Sequence, residues 1–339
     1  MNLTEGIAII GVGHHLPEHS EDNETLCQRL DVTPQWIIDK TGIERRFIAA
    51  AGDSASAYAL AAARQAMAMA RVSAAEIDLI ICCTFSGDYI FPPLSAKLHQ
   101  DIGAKGAQIF DLQANCTGVV TGLTVASDRM QVDASVRCAL VVGVELCSRY
   151  VDRSDVNTAI YLSDGAGAIV LGRREAGVGI RASAFHTDSS NYESVRMRGG
   201  GSSFPVLGRT PDPAVDSMEM NGIATWKQAI THLPTVMRRC AEKAGVSMND
   251  VDFMVLHQAN LRLIEYIVRK MGLSLDRTYT NVQEIGNTGA ASLAIALSEA
   301  VRKGLVPQGG LVMLAAVGAG FNFGANLWRW DLRYPGDRS

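Results

Sequence analysis

The chain has 339 residues, 47% of them hydrophobic and 19% charged, with a formal net charge of −4. That balance excludes a disordered chain and gives no reason to expect nucleic acid or an anionic membrane as partner. The length exceeds a usual single core, so two domains or a fused double domain are expected.

The seven cysteines mostly sit inside apolar runs, and no Cys/His cluster has zinc spacing. An odd number so placed points to a reducing cytoplasm rather than to a disulfide framework. No apolar stretch reaches the roughly eighteen residues of a membrane span. The first residues carry no basic region ahead of an apolar run, so they do not read as a signal peptide.

Ile7-Ala8-Ile9-Ile10 reads as a buried strand stopped by Gly11-Val12-Gly13, with His14-His15 in the loop beyond. A short helix is expected near Leu26 to Leu30. Trp36 with Lys40, Arg45 and Arg46 forms a local basic and aromatic cluster, expected to be a solvated face around a half-buried tryptophan. Residues 54–70 form an alanine-rich helix with a serine available as cap. Ile77 to Cys83 is nearly all apolar, hence a strand buried on both faces, with Cys82 and Cys83 pointing to opposite sides.

The stretch Asp111-Leu112-Gln113-Ala114-Asn115-Cys116-Thr117-Gly118 follows a short strand ending at Phe110. Beyond it Val119, Leu123, Ala126 and Met130 recur at helical spacing. Cys116 therefore sits at a strand-to-helix elbow, where helix-terminal N–H groups and the dipole favour a thiolate. Residues 136–144 read as another buried strand. Ser163 to Ala168 is a glycine turn entering a strand, with no Gly-Lys-Ser/Thr to make it a phosphate loop. Residues 187–216 lack periodicity and read as a mobile surface loop.

The chain also repeats itself. Val72 to Ile81 matches Val246 to Val255 at an offset of 174, and Cys116-Thr117-Gly118 matches Asn287-Thr288-Gly289 at 171. Two similar α/β halves are expected, with Cys116 and Asn287 opening equivalent helices. His257 closes the strand of the second copy, and Gly318 to Gly324 is a glycine-rich segment able to point N–H groups into a cavity. Cys, His and Asn at element ends of a duplicated fold mark the junction as the candidate site, since ligand sites prefer such junctions.

Five motifs carry a resemblance over almost the whole length: Asp111 to Gly118, Asp164 to Ala168, His257 to Arg262, Gly286 to Ser292 and Gly318 to Gly324. Trp36 and Thr41-Gly42-Ile43 extend it to the N-terminus. The chain resembles the β-ketoacyl-[acyl-carrier-protein] synthase III enzymes of the thiolase superfamily. The resemblance implies an α/β thiolase-like fold of five layers, α-β-α-β-α, with residues 1–175 carrying the nucleophile and 176–339 carrying the histidine and asparagine.

It implies that Cys116 takes an acyl group from an acyl thioester, and that His257 and Asn287 stabilise the enolate-like charge formed when malonyl on acyl carrier protein loses CO2. The backbone N–H groups of Cys116 and Ala319 would form an oxyanion hole. Trp36, Lys40, Arg153 and Asn260 are implied to hold CoA or pantetheine. Lys227, Arg262, Arg269 and Lys270 would receive the carrier protein, and Phe91 would gate the acyl pocket across a homodimer interface. Neither metal nor resident cofactor is implied, with acyl-CoA or acyl carrier protein and malonyl carrier protein as substrates.

Four positions depart from the family pattern: Val156 and Lys40 where arginine is usual, Asn115 for a small apolar residue, and Ala319 for glycine. Two other readings stay open. One is an acyltransferase that passes the acyl group to a non-malonyl acceptor, and the other is a non-catalytic partner subunit.

Overall fold

A computed structural model describes residues 5–332 of the chain. Its first half builds one sheet from β1 (Glu5–His15), β2 (Leu79–Cys83), β3 (Gln108–Leu112), β4 (Cys138–Leu146) and β5 (Asp164–Glu175), in the order β1-β5-β4-β2-β3. β2 lies parallel to both β3 and β4, while β5 runs antiparallel between β4 and β1. The second sheet, in the order β7-β8-β9-β6, contains β6 (Gly179–Thr187), β7 (Phe253–Leu256), β8 (Leu311–Gly318) and β9 (Asn322–Arg329). β7 and β8 are parallel, the rest antiparallel.

Helices fill the remaining layers. α1 (Pro34–Thr41) lies near the surface, while α2 (Ala55–Ala70) and α3 (Leu94–Ile102) cover the outer face of the first sheet, packing Ala59, Ala62 and Leu98 on Ile80, Cys82 and Val142. The small side chains of α2 allow that close approach, and Ser54 caps it through Ala57 N at 3.2 Å.

α4 (Gly118–Val132) and α7 (Ser292–Arg302) lie between the sheets, where Leu123, Met130, Leu293 and Leu297 meet Ile81, Val141, Val312 and Leu314. α5 (Gly222–Lys243) and α6 (Leu261–Lys270) cover the far face with Leu233, Met237, Ile264 and Val268. The result is the five-layered α-β-α-β-α fold. Cys82 faces the outer helices and Cys83 the central layer, as strand alternation requires.

Several local expectations change. β1 does not stop at Gly11; it continues through a register shift between Ile9 and Gly11, which places His14 and His15 inside the strand. The early helix covers Asn23–Cys27 rather than starting near Leu26. Within 187–216, Val195–Met197 forms a strand paired with Met218–Met220, and Pro213–Asp216 a helical turn. Arg46 leaves the surface cluster: it is buried, its Nη2 donating to Asn23 Oδ1 at 2.6 Å.

The duplication also aligns differently. The 3-10 turn Asn115–Thr117 before α4 is matched by Gly289–Ala291 before α7, at the same offset of 174 as the strands. Asn287 thus precedes its turn, where Cys116 sits inside the equivalent one.

Candidate active site

The elbow that carries Cys116 is built from its own sequence. Asp111 accepts hydrogen bonds from Leu94 N at 2.6 Å and Ser95 N at 2.8 Å, capping α3 and fixing the end of β3. Asn115 adopts the left-handed conformation, φ +50°, which asparagine tolerates better than most side chains. Its Nδ2 donates to the carbonyl of Ala319 at 3.1 Å, tying the elbow to the glycine-rich segment. Two of the four departures from the family pattern, Asn115 and Ala319, are thus direct partners.

Cys116 is partly accessible but densely surrounded. Burial pushes its thiol up to about 12, and the nearby Glu145 acts in the same direction. Its own backbone N–H opposes both, weakly. Desolvation here outweighs the helix-terminal field that the sequence suggested, because α4 begins only inside the central layer. Glu145 itself, at the end of β4, is held protonated up to about 8 by burial, although Phe85 N, Thr84 Oγ1 and Ser86 Oγ all donate to it.

His257 follows β7, with its N–H on Ala315 O at 2.9 Å. It is 6% exposed, and burial pushes it down to about 4, so it is neutral at physiological pH. Its Nδ1 lies 2.5 Å from Ser292 Oγ at the start of α7. Asn287 is held by its backbone, donating to Tyr161 O at 2.8 Å and accepting from Ser163 N at 2.9 Å. Its Oδ1 accepts from Gly289 N at 2.9 Å, which leaves Nδ2 as the outward group.

These ends converge. The backbone of Gly318, closing β8 beside β7, presses on the 114–117 turn, so a Cβ there would lie 3.0 Å from Ala114 O and 3.1 Å from Thr117 N. The 289–291 turn packs on the start of α4, with Ala290 Cβ 3.5 Å from where a Cβ on Gly118 would be. Gly289 is required: at φ +55° its Cβ would come within 2.9 Å of Glu145 Cγ. Asp164 supports the floor from further out, accepting from Ala49 N at 2.7 Å and Ser148 N at 2.8 Å.

A cavity of about 630 Å³ opens beside the site, lined by Trp36, Lys40, Val156, Tyr161, Trp226 and Asn260 among others. Tyr161 joins mouth to centre, since its carbonyl holds Asn287. Trp36 is 38% exposed, and the Lys40 ammonium lies 4.6 Å over its ring. Asn260 caps α6 through Arg262 N and Leu263 N and donates to Lys40 O at 3.3 Å.

Arg153 does not join this lining; it pairs with the buried Glu21, which Arg29 also contacts. Arg262 donates to the carbonyls of Ile38 and Asp39, capping α1. Lys227, Arg269 and Lys270 are exposed, with Lys270 Nζ on Ile230 O at 2.7 Å. Phe91 is 83% exposed, in the loop between β2 and α3.

Three contributors escaped the sequence reading: Glu145, Ser292 and Trp226. A lone glutamate inside the apolar run Val141 to Leu146 was a visible signal for the first. Ser292 lay inside a recognised motif, but its partner is 35 residues away.

A cysteine, a neutral imidazole and a carboxamide on neighbouring element ends form the candidate site of a thiolase-type fold. Residues 110–189 match the family model described as 3-oxoacyl-[acyl-carrier-protein (ACP)] synthase III, and residues 241–330 match its C-terminal counterpart. The chain is 35% identical over 324 residues to the β-ketoacyl-[acyl-carrier-protein] synthase III of Syntrophomonas wolfei, an alignment covering 96% of this chain and 97% of the relative.

The crystal structure of the Aquifex aeolicus 3-oxoacyl-[acyl-carrier-protein] synthase III superposes with a TM-score of 0.88 at 33% identity, covering 96% of this chain and all of that one. The priming β-ketosynthase of the R1128 polyketide pathway gives 0.90 at 31%, covering 99% and 98%. The chain belongs to the β-ketoacyl-[acyl-carrier-protein] synthase III family and is an acyltransferase of that type.

Proposed function

We propose that this enzyme loads an acyl group onto Cys116 and condenses it, with loss of CO2, with malonyl carried on acyl carrier protein. In the first half, Cys116 sulfur attacks the acyl thioester carbonyl; the donor thiol leaves with the proton, and an acyl-Cys116 thioester remains. In the second, the malonyl carboxylate departs as CO2 and its electron pair passes into the thioester, forming an enolate. That carbanion attacks the acyl carbonyl, Cys116 leaves, and a β-ketoacyl thioester is released.

The observation that carries this reading is that the imidazole and the carboxamide are both neutral and both tied to the 289–292 segment, which packs on the start of α4. His257 is kept uncharged by burial, and the Oδ1 of Asn287 is already satisfied, so both can offer N–H to a thioester oxygen without adding a countercharge. A carboxylate there would repel the enolate. The Cys116 and Ala319 N–H groups supply the oxyanion hole, a donor of which is typically worth about 3 kcal/mol.

The pantetheine arm common to CoA and carrier protein enters past Trp36, Lys40 and Asn260. Lys227, Arg269 and Lys270 meet the acidic carrier, with Arg262 securing α1 beside them. Arg153 acts indirectly, through Glu21. Phe91 serves a second copy of the chain.

Intact-protein mass after mixing with acyl-CoA and acyl-carrier-protein donors tests the first half, and addition of malonyl carrier protein tests the second. The expected result is an acyl adduct absent from Cys116→Ala and discharged by malonyl carrier protein as a β-ketoacyl product with CO2. An adduct that persists with malonyl carrier protein but discharges to another acceptor would replace condensation by simple acyl transfer.

A further inference from the structure

We propose that Ser292 fixes the tautomer of His257, so that the imidazole carries its hydrogen on Nε2 and presents it to the malonyl thioester oxygen. The proposal rests on the condensing reading above and makes Ser292 a positioning residue for its second half.

The argument is one of hydrogen counting. Ser292 is 2% exposed, and its hydroxyl has one hydrogen to give and two lone pairs to receive. One lone pair takes the Gln258 N–H at 3.2 Å. Among the described residues the other partner of Ser292 Oγ is His257 Nδ1, at 2.5 Å.

If the hydroxyl donates to Nδ1, all three groups are satisfied and the ring hydrogen must reside on Nε2. If instead Nδ1 held the hydrogen, the hydroxyl would accept twice, and its own hydrogen would be buried without an acceptor. The low basicity that burial imposes on His257 excludes the doubly protonated ring, which would make the question moot.

The donor to Ser292 is itself immobile. Gln258 Nε2 donates to Leu256 O at 2.7 Å, and Gln258 Oε1 accepts from Asn281 N at 3.0 Å. Gln258 therefore cannot turn its N–H elsewhere, and the serine cannot exchange roles. The logic parallels Asn287, where Gly289 N occupies Oδ1 and leaves the Nδ2 hydrogens outward. Each side chain is satisfied at its rear by a group from the 289–292 turn, and each is thereby made a donor at its front. When the malonyl carboxylate leaves as CO2, the electron pair moves to the thioester oxygen, which then accepts from Nε2–H without proton transfer.

Two-bond 1H–15N spectra of protein labelled at the histidine ring read the tautomer directly. The wild type is expected in the Nε2–H form, with that signature lost or mixed in Ser292→Ala and restored in Ser292→Thr. Two rates are then compared: formation of the acyl-Cys116 adduct, and release of labelled CO2 from malonyl carrier protein by the acylated enzyme.

Ser292→Ala is expected to load within about twofold of wild type but to release CO2 about a hundredfold more slowly, comparable to losing one preorganised donor. An Nδ1–H wild type overturns the proposal, as does an equal loss in both rates with an unchanged spectrum. Should Ser292→Ala fail to fold, the wild-type spectrum and Ser292→Thr decide alone. A wild type that loads but releases no CO2 refutes the condensing reading, while the spectrum still tests the tautomer.

Discussion

The thiol of Cys116 shows how a single residue's surroundings compete. It lies at the start of α4, where the macrodipole supplies roughly half a positive charge. Burial in the central layer and the Glu145 side chain nonetheless push it up to about 12. Alkylation of Cys116 by iodoacetamide should therefore quicken steadily between pH 7 and 9, without the plateau that a preformed thiolate gives. Glu145→Gln removes one of the two opposing causes and should raise the rate above about pH 8, where Glu145 is ionised, with little change at pH 7. A rate flat from pH 6 upward would show that the dipole wins.

Glu145 also couples stability to pH. Its folded value, about 8, lies above its ordinary 4.5, so the folded state holds the extra proton between those limits. Stability contributed by the protonated group is present at low pH and lost as pH rises toward 8. Thermal melts of Glu145→Gln against wild type should show the variant gaining about 3 kcal/mol between pH 5 and 8.

At the scale of the element, the elbow depends on how closely α4 approaches β2. A Cβ on Gly122 would lie 2.9 Å from Cys83 Sγ and 3.0 Å from Val141 Cγ1. Gly122→Ala should cost about 1–3 kcal/mol by overpacking, and Cys83→Ala should recover part of that cost in the double variant, as a double-mutant cycle on melting temperature would register. Additive losses would show that Cys83 is not the obstacle.

Much of this architecture was legible in the residues. The helical stripe of Val119, Leu123, Ala126 and Met130, the all-apolar strand at 79–83 and the repeat at 174 all survive, because each reflects burial on a fixed period. What escaped depends on three-dimensional neighbours. Asn287 looked like the counterpart of Cys116 because Asn-Thr-Gly resembles Cys-Thr-Gly, yet the backbone equivalence sets Gly289–Ala291 against Asn115–Thr117. Arg46 read as surface charge, and its burial rests on Asn23 and the Ile160 carbonyl, neither close in sequence.

For the whole molecule, the question is what covers the open side of the first sheet. β3 is its edge strand, and the adjoining loop exposes Tyr89, Ile90 and Phe91 at 72%, 92% and 83%. Asp111 ties that loop's exit to β3 through Leu94 N and Ser95 N, so edge and apolar patch move as one surface. An edge strand unpaired among the described residues, beside three large exposed apolar side chains, is the pattern of a surface that another chain can cover.

A second copy, paired across β3, would satisfy the strand and bury the patch. Phe91 would then lie where only the partner's interior can receive it. Mass photometry should give twice the 36.3 kDa chain mass. Ile90→Asp should shift the population toward monomer, because a carboxylate in that interface would be desolvated without a partner. Phe91→Ala should leave the dimer in place yet change which acyl chain lengths appear as Cys116 adducts if, as proposed, Phe91 limits the acyl pocket. A wild-type monomer, or a Phe91→Ala dimer with an unchanged acyl profile, would remove the shared interface from the account of this active site.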